Sequence, residues 1–180
     1  MKTGILTWML FATAAYAADG PATPIKHRIT GLFSPDREAD LREAIKKLPD
    51  LTLVSVDFEN AEATFQYDSA KIFQNAKPEQ IIERLDGMLK SVSHHSFGVR
   101  PLLAIPKEKL MRIEIAVLGL DCKGCCFGAY DSIYRMDGVE QVTVSFKEGR
   151  VMAWIDPAKT SRDALMAALK KRNVTLAPNP

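Results

Sequence analysis

The 180-residue chain has no cysteine outside one stretch of five residues, Cys122 to Cys126. A disulfide framework scatters its cysteines so that each bridge staples distant segments, and that class is excluded. An excess of one charge is also missing. The 24 Lys and Arg against 22 Asp and Glu leave +2, too little to give the basic field of a dedicated nucleic-acid binder. After residue 17 no segment is long and apolar enough to span a membrane. No Ser/His/Asp set, carboxylate pair at catalytic spacing or phosphate-binding loop stands out, and the expectation is a non-enzymatic protein. Glycine and proline number only 10 each, with 47% hydrophobic residues, which excludes collagen-like, low-complexity and wholly disordered chains. What is present is a globular chain with three thiols packed into five residues.

Residues 1–17 read as an export signal. Lys2 supplies the positive end, Ile5 to Ala15 the short apolar run, and Ala15-Tyr16-Ala17 the small-x-small cleavage pattern. The run is shorter than the ~20 residues of a spanning helix. The expectation is a periplasmic or secreted protein with no membrane span once the signal is removed.

The rest is one unit written twice. A displacement of 88 positions lays Gly31-Leu32 on Gly119-Leu120, Ile45 on Ile133 and Leu48 on Met136. It also lays Val54, Val56 and Phe58 on Val142, Val144 and Phe146. The second copy parses first. Residues 111–118 alternate as a strand, with Ile113, Ile115 and Val117 on one side. A helix is predicted over 125–136, ended by Asp137-Gly138. A strand over 141–146 is expected to face Val142, Val144 and Phe146 inward, with a turn at Lys147-Glu148-Gly149 and a partner strand over 151–155. Thr160 is the expected N-cap of a second helix running to Arg172, with Asp163 three residues on, and Val174 to Leu176 makes the last strand. The order βαββαβ predicts an α+β fold of two tandem ferredoxin-like sandwiches. The expected divisions are 26–102 for the first copy, 103–109 for a linker and 110–176 for the second copy. Extra residues at 69–76 precede a helix opened by Pro78 in the first copy.

Cys122-Lys123-Gly124-Cys125 falls in the strand-to-helix connection of the second copy. This spacing puts one thiol in the loop and one in the first helical turn, so both sulfurs can converge on one ion. The helix N-terminus favours the thiolate. Thiolates select soft ions: Cu(I), Zn(II), Hg(II) or Cd(II). Asp121 has two readings, a carboxylate ligand suited to a divalent ion or a charge complementing the helix dipole. Cys126 also has two, a third ligand or a small buried hydrophobe. In the first copy Ser34 and Arg37 stand where Cys122 and Cys125 would be, so soft-metal chelation is lost there. His94-His95 with Glu59 and Glu62 are conceivable as a weak metal site, and read otherwise as an exposed polar loop.

Residues 111–176, with Cys122-x-x-Cys125, Gly138-Val139 and Asp156-Pro157, resemble the heavy-metal-associated domain family. That family includes copper chaperones, periplasmic mercury-binding proteins and N-terminal modules of metal-pumping ATPases. The chain differs from its usual pattern at Leu120, where Met is common, and at Asn173-Val174. The resemblance implies a non-enzymatic carrier, chaperone or sensor of a thiophilic metal. Asp at position 121 is similar to zinc-, lead- and cadmium-exporting ATPases. Lys123, Lys147, Arg150, Lys170, Lys171 and Arg172 are expected to share the metal edge, a cationic rim suited to a metal-transfer partner with an acidic face. The first copy's corresponding edge, with Glu38, Glu59 and Glu62, could itself face that rim. Two other functions remain open, thiol–disulfide exchange at Cys122 and Cys125 and a pure protein-interaction module.

Overall fold

The computed structural model describes residues 24–178, and the export signal read at 1–17 lies outside them. The first module runs β1 (Ile25–Thr30), α1 (Arg37–Ile45), β2 (Thr52–Asp57), β3 (Glu62–Gln66), α2 (Ser69–Ile72), α3 (Pro78–Val92) and β4 (Gly98–Arg100). The second runs β5 (Met111–Leu118), α4 (Lys123–Ile133), β6 (Val139–Ser145), β7 (Arg150–Ile155), α5 (Arg162–Lys171) and β8 (Thr175–Leu176). Their antiparallel sheets have matching orders, β2-β3-β1-β4 and β6-β7-β5-β8. These are two tandem ferredoxin-like units. No helix among the described residues is long and apolar enough to cross a membrane.

Period-2 alternation builds the sheets. In β5 the inward residues Ile113, Ile115 and Val117 are buried while Arg112 and Glu114 face out, and β7 buries Val151, Ala153 and Ile155 in register. Ala129 and Ile133 of α4 and Leu165 and Leu169 of α5 close the second core. Leu41, Leu85, Leu89 and Phe65 anchor the first. Pro78 opens α3 as expected, since its fixed φ suits the first helical position and its missing N–H is not needed there. Gly149 takes φ 57° in the β6–β7 turn.

Three local expectations are corrected. Phe146 does not face inward: β6 ends at Ser145, and Phe146 enters the turn 69% exposed. The cap of α5 is Ser161, whose Oγ accepts from the Ala164 N–H at 3.4 Å. Thr160 instead donates its N–H to the Asp156 carbonyl, closing the preceding turn. Helix α4 also begins and ends earlier than expected, at Lys123 and Ile133. Just before the extra segment Asp68 caps the short α2, accepting from the Ala70 and Lys71 N–H groups.

The modules are docked on each other. Phe33, in the β1–α1 loop, belongs to the second module's core, where it packs near Phe127 and Tyr130. Its carbonyl accepts from the Val144 N–H at 2.8 Å, so first-module backbone adds to edge strand β6. An open edge is a template for unwanted pairing, and here it is covered. Along β6, Val139, Val142 and Val144 are buried in the second core, and Gln141 and Thr143 are buried as well. Arg28 pairs with Glu140 at 2.7 Å, and the Gly31 N–H donates to the Tyr130 hydroxyl at 2.7 Å. Burial pushes the Tyr130 hydroxyl's pKa far above its ordinary value, so it serves as a neutral acceptor.

Candidate metal centre

Strand β5 delivers the chain to Gly119, whose φ of 73° makes the left-handed turn a side chain would resist. Leu120 is buried and pins the loop to the core, which leaves Asp121 and Cys122 exposed. Cys122 is the extended N-cap of α4, and its Sγ accepts from the Cys125 N–H at 3.0 Å. A thiolate in that position would receive the same N–H and the helix dipole, both of which favour the charged form. Cys122 and Cys125 are joined as a disulfide, with Cα atoms 5.1 Å apart. Cys125 Sγ lies 3.5 Å from Asp121 Oδ1. One ligand atom each from Asp121, Cys122 and Cys125 lies within 4.8 Å of the others. Asp121 and Cys122 are exposed and Cys125 is half-buried.

Cys126 is not in this cluster. One residue further along the helix turns it inward, where it is 4% exposed with Sγ 3.9 Å from the Leu120 carbonyl. Burial, then the nearby Asp36 carboxylate, push its thiol above the ordinary pKa, so it stays protonated. His94 and His95 join no metal-ligating cluster among the described residues.

The first module's equivalent loop has a different chemistry. Arg37, at the position of Cys125, is buried with its guanidinium 4.2 Å from the Phe97 ring centroid and 5.2 Å from that of Phe33. It donates to the Gly31 carbonyl at 3.2 Å and pairs with Asp40 at 2.6 Å. Ser34, at the position of Cys122, donates its hydroxyl to Asp36 at 2.6 Å. That bond, reinforced by Lys123, holds the Asp36 carboxyl below its usual pKa.

Lys123, between the two thiols, reaches Asp36 at 3.2 Å and Asp40 at 3.3 Å. Sequence reasoning did not single out these two acids. Glu38, Glu59 and Glu62 were the expected acids, but Glu38 pairs with Arg42, Glu62 with Lys26, and Glu59 offers its backbone carbonyl to Gln141 and Lys107. A pocket of about 230 Å³ lies between the modules at this point, lined by Phe33, Ser34, Asp36, Cys122, Cys126 and Phe146 among others. Around the rim, Arg150 pairs with Glu114 and Glu148, and Arg172 with Asp131. Lys147, Lys170 and Lys171 make no ion pair among the described residues.

No protein-family model matches the chain. Copper-transporting ATPase 2 of Homo sapiens is 25% identical over 158 residues, covering 79% of this chain and 11% of that protein. The chain thus spans about a tenth of the length of this curated relative. Among solved structures, oxidized MerP from Ralstonia metallidurans CH34 is 25% identical, covering 38% of this chain and 94% of its own at a TM-score of 0.36. The water-soluble region of the P-type ATPase CopA from Bacillus subtilis is 18% identical, covering 86% of this chain and 89% of its own at a TM-score of 0.35. The chain is similar to part of Copper-transporting ATPase 2 and consists of two consecutive βαββαβ units, of which the second carries the Cys-x-x-Cys pair.

Proposed function

We propose that this protein binds one soft, thiophilic metal ion as cargo through Cys122 and Cys125, with Asp121 as an additional oxygen ligand. The observation that carries this reading is the convergence of those three ligand atoms within 4.8 Å on an exposed loop. Two sulfurs suffice for Cu(I) or Hg(II); the carboxylate suits Zn(II) or Cd(II), which take more ligands. Loading requires two-electron reduction of the disulfide by an external dithiol, which is itself oxidised to a disulfide, and then release of the two thiol protons. Export after cleavage at Ala17 would place the carrier in an oxidising compartment, where that reduction controls its capacity. A metal-transfer partner with an acidic face would meet Lys147, Lys170 and Lys171 beside the loop.

The test is an anaerobic titration of the reduced chain with Cu(I) and Zn(II) against a chromophoric chelator. Stoichiometric binding is expected. Cys122→Ser or Cys125→Ser should weaken it more than about a hundredfold, beyond the 10–100-fold typical of losing an outer-shell partner. Cys126→Ser should change affinity little. Equal losses in all three variants would show a three-thiolate site instead. Asp121→Ala should weaken Zn(II) by about tenfold while sparing Cu(I). The bonded pair also favours a second reading, thiol–disulfide exchange. Turnover of a disulfide substrate without metal, and no stoichiometric metal binding, would establish that reading.

A further inference from the structure

A second cleft of about 250 Å³ lies between the modules and shares no lining residue with the pocket at the thiol loop. Its charged lining is of one sign. The first module contributes Lys90 and Arg100, the second contributes Arg135, the His95 imidazole lies beside them, and no carboxylate lines the cleft. Two of these cations have counter-ions beside the cleft: Lys90 pairs with Asp86, and Arg135 with Asp131 at 3.1 Å. Arg100 makes no ion pair among the described residues. Its guanidinium stands 5.6 Å from the Tyr134 ring centroid, and that of Arg135 stands 5.2 Å from the same centroid. Guanidinium groups from both modules thus meet one ring at the cleft, and that of Arg100 has no carboxylate partner among the described residues.

The backbone at the rim is a second, independent observation. His94 and His95 are consecutive residues with φ of 52° and 62°. Two successive side-chain-bearing residues in the left-handed region are uncommon. The turn is held by the His95 N–H, which donates to the Lys90 carbonyl at 2.8 Å, and it sets His95 on the cleft beside Lys90. Strain of this kind collects at sites that hold a ligand.

We propose that this cleft is a binding site for a small, multiply charged oxyanion, clasped between Arg100 of the first module and Arg135 of the second. Guanidinium groups present paired donors that match phosphate and carboxylate oxygens. The Phe127 and Tyr134 rings offer an apolar wall for a carbon-bearing ligand. Because the clasp spans both modules, the anion reinforces their docking and stabilises the folded chain by mass action.

The test is calorimetry and thermal unfolding of the intact chain with inorganic phosphate and, separately, citrate, at constant ionic strength set by chloride. Saturable one-site binding and a rise in midpoint temperature are expected. Tighter phosphate binding would mark a phosphoryl ligand, and tighter citrate binding a carboxylate one. Arg100→Gln and Arg135→Gln should each weaken binding at least about tenfold. Lys46→Gln, an exposed cation remote from the cleft, should leave it unchanged. Arg135 is exposed, so its variant keeps the test open if Arg100→Gln disturbs folding. An absence of saturation at millimolar anion, or equal losses in Lys46→Gln, would overturn the proposal.

Discussion

The β1–α1 loop of the first module and the β5–α4 loop of the second start from one backbone device and end in opposite uses. Each leaves its strand through a positive-φ glycine, Gly31 or Gly119, and each then buries a leucine, Leu32 or Leu120. Beyond that point they diverge. The second loop keeps its reactive side chains outside, with Asp121, Cys122 and Cys125 gathered over the helix N-terminus. The first turns inward: Phe33 enters the other module's core, and Arg37 is buried between two rings. Gly31 also has a requirement that Gly119 lacks. A Cβ at Gly31 would stand 1.9 Å from the Ser96 carbonyl oxygen, whereas nothing lies within 4 Å of one at Gly119. Without cysteines the first module's loop is not idle: the same turn serves as a docking element.

The sheet edges repeat the lesson. Strands β2 and β6 are equivalent edge strands. Among their matched residues, Val54 is 49% exposed at an irregularity in β2, while Val142 is 3% exposed. The difference lies in register: Val54 falls in the β2 irregularity and is left unpaired, whereas Val142 pairs with Ala153 on the core face of its sheet.

The largest effect should come from Phe33→Ala. Removing a buried ring that bridges the modules should cost about 3–5 kcal/mol. Trp154, the sole tryptophan beyond residue 17, sits in β7 and reports this through urea denaturation followed by fluorescence. A change below about 1 kcal/mol would mean that the docking contributes nothing to the second core.

Placing cysteines at the matching positions of the first module should not create a second site. Ser34→Cys combined with Arg37→Cys should cost about 2–3 kcal/mol, because the buried guanidinium's hydrogen bonds and ring stacking are lost. Soft-metal stoichiometry should remain at one ion per chain. Two ions per chain would show that the two loops differ only in their cysteines.

The smallest effect concerns His27, buried on β1 with its Nε2 3.0 Å from the Tyr67 hydroxyl. Burial lowers its pKa below the ordinary 6.5. As pH falls through that ordinary value, the unfolded chain takes up a proton that the folded chain resists. First-module stability should therefore decline with acidity below it, and remain flat with respect to His27 above it. His27→Gln should remove that part of the pH dependence in denaturation curves. An unchanged profile would assign it to other groups.

Much of the molecule was legible because its signals are local. Alternation in 111–118 and 151–155 fixes inward faces, and Cys-x-x-Cys fixes two sulfurs on one helical turn wherever the helix is placed. Local rules misplaced Phe146, since alternation does not mark where β6 stops and the turn begins. They also favoured Thr160 over Ser161 as a cap, where two adjacent hydroxyl residues offer equivalent chemistry.

The sequence by itself determined two βαββαβ units and one thiol loop, because helix and strand periodicity act over a few residues. Only the tertiary structure decided which acids meet Lys123, which strand edge is covered, and which arginines share Tyr134. Those contacts join residues far apart in the chain, as Arg28 and Glu140 are joined across the interface. Their partners are selected by how two finished surfaces fit, and no short-range pattern encodes that fit.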